Sequence, residues 1–341
     1  MILEMKKLCF RILMAISIIA VATSCTSSSN NTKNPELTFV ASLSGIDGKG
    51  YGEALYTAVQ AWVGRQENLK AVYNMPNNIG EAEKIYADWQ KNTVGKNNSV
   101  IVMAGSDYLD LVKNKTGKLE PNQSVLIIED KLGQKFPDGV SSFYINRDGA
   151  SYLMGCISSF YDEPLILAAL ENETILQEYI AAFKAGLEYA SGNTKTARVE
   201  YLANGYEGFN MPEKAYEIAK ENNNTFIYPL IGKSILGVFD VLKECKDSDN
   251  IVSVGLDMDC NDVNRRVVAS MILNLDKVFD IYLGSWVKGE KMPVYERYGM
   301  EDGFVDIKFN ENYTPVNGIT IDDYKAVKSK YMNEALSFEK E

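Results

Sequence analysis

Val40 to Val59 reads VASLSGIDGKGYGEALYTAV. It opens as an apolar run, with Leu37, Phe39 and Val40, that predicts a buried strand. It then passes through Gly45, Gly48, Gly50 and Gly52 and resumes with Ala54, Leu55, Ala58, Val59 and Trp62 on one helical face. A glycine-rich turn between a strand and a helix sets free backbone N–H groups at the positive end of a helix dipole, on the rim of a sheet. Open α/β proteins hold small ligands there. Tyr51 lies inside the turn, where the helical pattern requires no aromatic ring. It either covers the turn or faces a ligand.

The rest of the chain repeats the theme. LKAVYNM is followed by a helix over Ile79 to Gln90, SVIVMAG by a short helix, and VLIIED and SSFYIN by a helix from Asp148. PLILAAL, ARVEYLA, TFIYPLI and NIVSVGLD then alternate with helices reaching Tyr189, spanning Glu213 to Glu221 and spanning Leu236 to Cys245. Apolar strands alternating with amphipathic helices predict parallel sheets covered on both faces. Two such sets, split near residues 145–148, predict an α/β fold of two Rossmann-like lobes. VVASMILN and a helix over Asp276 to Lys288 are expected to return to the first lobe. VYERYGMEDGFVDIKFNENY alternates around a turn and predicts a hairpin, and Asp322 to Phe338 a closing helix. The expected division is 37–145 with 260–288 in lobe 1, and 146–259 with 289–341 in lobe 2, joined by a hinge that lets the lobes close on a ligand.

Residues 1–24 read as an export signal, with Lys6, Lys7 and Arg11 before an apolar stretch, Ile12 to Val21, that is short for a membrane span. Ala22, Thr23 and Ser24 before Cys25 resemble a bacterial lipoprotein cleavage box, in which Cys25 is lipidated; an ordinary secretory signal is the alternative. Residues 25–36 read as a polar tether. Removing residues 1–24 takes away three basic residues and one glutamate, so the net charge goes from −11 to −13. Such acidity argues against nucleic acid as a partner. The chain contains no histidine, which removes His-based triads, His acid–base chemistry and most zinc sites. The Gly45–Gly52 stretch lacks the G-x-G-x-x-G spacing of dinucleotide binders and has no Walker lysine–serine pair, so no enzyme activity, cofactor or metal is expected. Cys156, Cys245 and Cys260 lack CxxC spacing. A disulfide framework is not expected, and one bridge stays open.

Taken in order, IDGKGYGEALYTAV, SVIVMAG, VLIIED, INRDGASYLMG, ILQEYIAAFKAGLEYA, GFNMPEKAYEIA, VGLDMD and YGMEDGFVDIKF resemble the basic membrane protein family of substrate-binding lipoproteins. Its purine nucleoside receptors feed ABC transporters. The resemblance implies a type I periplasmic-binding-protein architecture, and a base held between two aromatic rings with carboxylates on its polar edges. It places the rings at Tyr51 and Phe209, and further ligand contacts at Ser42, Asp47, Glu129, Gly232, Asp257 and Asp259. From the residues alone, Phe209 could sit in a loop core, and Asp257 and Asp259 could cap the following segment. Glu129 and Asp130 are adjacent at a strand end, so only one should reach the cleft. Two positions depart from the family pattern: Ser42 stands where an aspartate is common and Leu273 where a lysine is common. The expected protein is a monomeric, lipid-anchored, extracytoplasmic receptor of the cell envelope. Its partners would be a nucleoside-like small molecule, an ABC permease and the membrane through the lipid. A lipoprotein that signals to a partner protein instead of a transporter is the alternative.

Overall fold

The computed structural model describes residues 34–46 and 48–340. The signal, Cys25, most of the tether and Asp47 lie outside the described residues. Pro35–Glu341 forms a compact unit of its own.

Two six-stranded sheets carry the fold. The first contains β1 (Glu36–Ala41), β2 (Lys70–Asn74), β3 (Ser99–Ala104), β4 (Gln123–Ile128), β5 (Val140–Ile145) and, late in the chain, β11 (Tyr295–Tyr298). The second contains β6 (Leu165–Leu170), β7 (Arg198–Ala203), β8 (Phe226–Leu230), β9 (Val252–Gly255), β10 (Val267–Leu273) and β12 (Val305–Phe309). Across the sheets the orders are β2-β1-β3-β4-β5-β11 and β7-β6-β8-β9-β10-β12, so the second lobe repeats the winding of the first. Each sheet reverses its winding beside its first strand, between β1 and β3 and between β6 and β8. Crevices open at the carboxyl ends of the strands at such points. Strands β3, β5, β6, β8 and β9 are buried along their whole length, which is why they read as unbroken apolar runs.

The helices cover both faces. On the first lobe are α1 (Tyr51–Gly64), α2 (Ile79–Asn92), α3 (Leu109–Lys115) and α8 (Leu275–Val287); on the second are α4 (Asp148–Ile157), α5 (Thr174–Ser191), α6 (Pro212–Glu221), α7 (Ile235–Glu244) and α9 (Ile321–Glu339). Helix α1 buries Ala54, Leu55, Val59 and Trp62, the three- and four-residue spacing of one face. Trp62 Nε1–H donates to Asp280 of α8 at 3.0 Å, and Tyr282 of α8 donates to the Ser142 carbonyl of β5 at 2.9 Å. These bonds fix α8 to the first lobe. Helices α4 and α5 pack through reciprocal glycines: a Cβ on Gly155 would strike the Phe183 carbonyl, and one on Gly186 the Tyr152 carbonyl. Helix α9 starts in a capping box between Thr320 and Asp323 and ends against α4, with the Tyr152 and Phe338 rings 5.1 Å apart.

The late chain differs from the expected division. Strand β10, assigned to lobe 1 with residues 260–288, belongs to the second sheet, and only α8 crosses back. Strand β11, assigned to lobe 2, pairs in parallel with β5 of the first sheet. The expected hairpin is absent, because β12 pairs antiparallel with β10 in the other sheet. The turn between β11 and β12 is a crossing between lobes. The chain therefore crosses three times: from β5 to α4, from β10 to α8, and from β11 to β12.

Candidate functional site

The carboxyl ends of the two sheets face each other across a cavity of about 470 Å³. This lies within the usual range of roughly 300–1,000 Å³ for small-molecule sites.

The glycine-rich turn forms one wall, and its polar groups are more occupied than the sequence suggests. Glu53, in the first turn of α1, accepts the N–H groups of Gly48 and Lys49 at 3.0 and 2.6 Å. Those donors are spent inside the turn and are not free at the rim. A Cβ on Gly52 would run into the Gly45 carbonyl, so the turn closes this tightly only on glycine. Ser42 donates to Asp107 Oδ2 at 2.7 Å, and the Leu43 N–H donates to the same oxygen at 3.0 Å. Asp107 follows β3, and it too lines the cavity. A carboxylate is thus present beside position 42, delivered from the neighbouring loop.

Arg147, on the first crossing, lies at the centre of the site and was not among the expected residues. Its Nη2 donates to Glu129 Oε1 at 2.7 Å and its Nη1 to the Tyr179 hydroxyl at 2.6 Å. Its Nε lies 3.4 Å from Asp257 Oδ1, and its guanidinium stands 5.0 Å from the centre of the Tyr51 ring. Arg147 is 6 % exposed and Glu129 5 %, so these charges are held with little solvent to screen them. Burial works against the charge on Arg147, but Glu129, Tyr179 and Asp257 together hold it firmly protonated. Burial pushes the Asp257 carboxyl up, Arg147 pulls it down, and Glu129 pushes it up again. Burial, reinforced by Glu129, also raises the Tyr51 phenol.

Glu129 follows β4 and Asp257 follows β9, equivalent places in the two lobes. Both have left-handed backbones, with φ of 69° and 67°. A non-glycine residue in that region costs about 1–3 kcal/mol, and such strain clusters at ligand sites. Glu129 Oε2 is buried without a hydrogen-bond partner, whereas Arg147 Nε is held in its ion pair with Asp257. Such an orphaned oxygen calls for a partner brought from outside. Asp130, next to Glu129, turns away and accepts from Ser142 Oγ at 2.8 Å.

The opposite wall comes from the second lobe. Phe209 is half-buried and stacks on Tyr206, with ring centres 6.2 Å apart at 26°. Gly232, at φ 53°, lies so close that a Cβ would come within 3.0 Å of Phe209. The turns of the two lobes also meet: a Cβ on Gly50 would lie 3.1 Å from the Gly232 carbonyl carbon. Ser42, Tyr51, Glu129, Phe209, Gly232 and Asp257 therefore share one cavity.

Asp259 does not join them. Its carboxylate pairs with Lys308 of β12 at 2.6 Å and accepts the Asn261 N–H at 3.0 Å. Leu273 is in the core of β10 and away from the cavity, whereas Met271 lines it. Arg147 supplies a buried cation to the cavity. Its sequence signal was a charge two positions past a wholly buried strand and directly before a helix.

Six carboxylates and three cationic side chains line the cavity among the described residues. Cys156, Cys245 and Cys260 are free thiols, so the bridge left open does not form. Among the described residues no helix is long and apolar enough to cross a membrane, and no group of His, Cys, Asp or Glu is arranged to hold a metal.

Two largely parallel sheets with repeated winding, three crossings and a cavity between facing strand ends make up the type I periplasmic-binding-protein architecture. Solved structures agree on the fold. An ABC transporter solute-binding protein from Aeropyrum pernix K1 superimposes with a TM-score of 0.68 at 14% identity, over 90% of this chain and 89% of that one. One from Conexibacter woesei DSM 14684 gives 0.63 at 12%, over 89% and 97%. The arabinose-binding component of an ABC transporter from Shewanella sp. ANA-3 gives 0.56 at 14%, over 89% and 98%. No curated relative matches by sequence. The Bmp family profile, described as ABC transporter substrate-binding protein PnrA-like, matches residues 37–341, and the chain belongs to that family.

Proposed function

We propose that the protein is a lipid-anchored extracytoplasmic receptor that captures a nucleoside and presents it to an ABC permease, without chemistry of its own. The observation that carries this reading is the cavity between the lobes, where the Tyr51 and Phe209 rings accompany a buried carboxylate pair. Flat rings suit a nucleobase, since stacking contributes about 1–3 kcal/mol per base. The unpartnered Glu129 Oε2 and the Asp257 carboxylate suit the hydroxyls of a sugar. Micromolar affinity, about −8.2 kcal/mol, is within reach of such contacts after the ordering costs of binding. Cys25 ahead of a polar tether is the anchor.

The test is calorimetric titration of the refolded unit Pro35–Glu341 with purine and pyrimidine nucleosides, beside free bases, ribose and nucleotides. Refolding clears any ligand carried through purification. Binding of a nucleoside, lost in Tyr51→Ala and Asp257→Ala, is the expected result. Failure of every nucleoside to bind refutes the ligand class. The anchor is tested separately by mass spectrometry of the exported chain: an acylated Cys25 is expected, and a free cysteine thiol there refutes it.

A further inference from the structure

Arg147 has contacts on both sides of the cleft. From the first lobe it meets Glu129, after β4, and the Tyr51 ring of α1. From the second it meets Asp257, after β9, and Tyr179 of α5. The residue itself belongs to the crossing between β5 and α4. Opening the lobes about this crossing would draw one carboxylate away from the guanidinium. Closing them brings two carboxylates, one from each lobe, onto one cation.

We propose that Arg147 is an interlobe latch, a positioning residue that makes closure of the cleft electrostatically favourable by accepting one carboxylate from each lobe. Without it, closure would press Glu129 and Asp257 together in a poorly solvated space, where two like charges resist sharing a site. The latch also leaves the cavity able to close on an uncharged ligand, because the ligand need not supply the positive charge.

The groups facing Arg147 decide what a pH experiment reads. Besides the two carboxylates they are Tyr51 on α1, Tyr144 on β5, Tyr179 on α5, Tyr228 on β8 and Asp148 beside it on α4. Burial pushes all four phenols above their ordinary range, so they stay neutral below about pH 9. In the variants the reading therefore falls on the carboxylates, of which burial raises Asp257, and Asp148 is common to every variant compared.

The experiment compares wild type, Arg147→Gln, Arg147→Lys and Asp257→Asn in the unit Pro35–Glu341. Shape is read by small-angle scattering with nothing added, and affinity by calorimetry with the nucleoside that wild type binds. The affinity arm rests on the receptor reading; the shape arm does not. If wild type binds no nucleoside, that reading fails and scattering alone decides the latch. Arg147→Gln is expected to scatter as a more open particle at about pH 8 and to compact at about pH 5.5, as one carboxylate takes up a proton, while wild type keeps one shape. Its affinity should fall at least about 30-fold at about pH 8 and recover several-fold at about pH 5.5. Arg147→Lys, which keeps the charge, should close at both pH values. Asp257→Asn removes only the second-lobe arm and should open the protein even where Arg147→Gln fails to fold. A Gln variant as compact as wild type at about pH 8, a loss of affinity that ignores pH, or a Lys variant as open as Gln overturns the latch.

Discussion

Replacing Glu339 by glutamine should stabilise the protein above neutral pH and do progressively less as the pH falls. Glu339 ends α9 and is 9 % exposed. Its Oε2 accepts the Met300 N–H at 2.9 Å, and its backbone carbonyl accepts Asn146 Nδ2 at 3.0 Å. The last turn of the helix thereby ties the third crossing to the first. Gly299 and Gly149 leave room for it, since a Cβ on either would press against the Glu339 side chain. Its Oε1 has no partner. Burial raises its pKa to about 7; the Met300 and Glu301 N–H groups and Arg297 oppose this, and Asp148 reinforces it.

A carboxyl raised on folding favours the native state while it holds its proton. Its contribution is complete below the unfolded value, near 4.5, and is lost as the pH rises to about 7. From about pH 5.5 to about pH 7 the loss is about 2 kcal/mol, at about 1.36 kcal/mol per pH unit. Glutamine is neutral throughout and escapes it. With no histidine in the chain, ordinary side-chain titrations are missing from this window, so the signal has little background. Asp148 is itself raised by burial, and its charge adds to the upward push on Glu339. Urea denaturation of both proteins at several pH values gives the difference directly. The advantage of Glu339→Gln should grow by about 2 kcal/mol between about pH 5.5 and about pH 8. A difference that stays flat across that range refutes the raised carboxyl and the burial argument behind it.

Three further outcomes are expected. Tyr51→Ala should weaken nucleoside binding by about 1–3 kcal/mol, roughly 5- to 150-fold, without a matching loss of stability; an unchanged dissociation constant would remove the ring from the site. Nucleoside monophosphates should bind much more weakly than the parent nucleosides, because carboxylates outnumber cations around the cavity; equal affinity in calorimetry would contradict that balance. Gly155→Ala should destabilise the second lobe by about 1–3 kcal/mol, since its methyl meets the Phe183 backbone carbonyl, which cannot swing aside; a melting temperature equal to wild type would show that α4 and α5 can part without cost.

The sheets were legible in the sequence because burial on both faces demands uninterrupted apolar runs, as in SVIVMAG and PLILAAL. The repeat of that pattern on either side of residues 145–148 was enough to show two windings. Glycine turns and a lone aromatic at a strand end marked one wall of the cavity, because such turns have a local cause. Pairing has none. VYERY and VDIKF look alike whether they meet each other or strands more than 100 positions earlier and about 30 earlier, and only the assembled sheets send them to different lobes. Charges behave in the same way. Glu129, Arg147 and Asp257 are scattered along the chain and converge because two strand ends and a crossing meet at one point. The free N–H groups expected of the turn were taken by Glu53, and Asp259 was drawn to Lys308. Periodicity and turn chemistry act over a few residues, so the sequence determines which segments are strands, helices and turns. Partners of strands and of buried charges depend on distances set by the whole fold, and those only the tertiary structure decides.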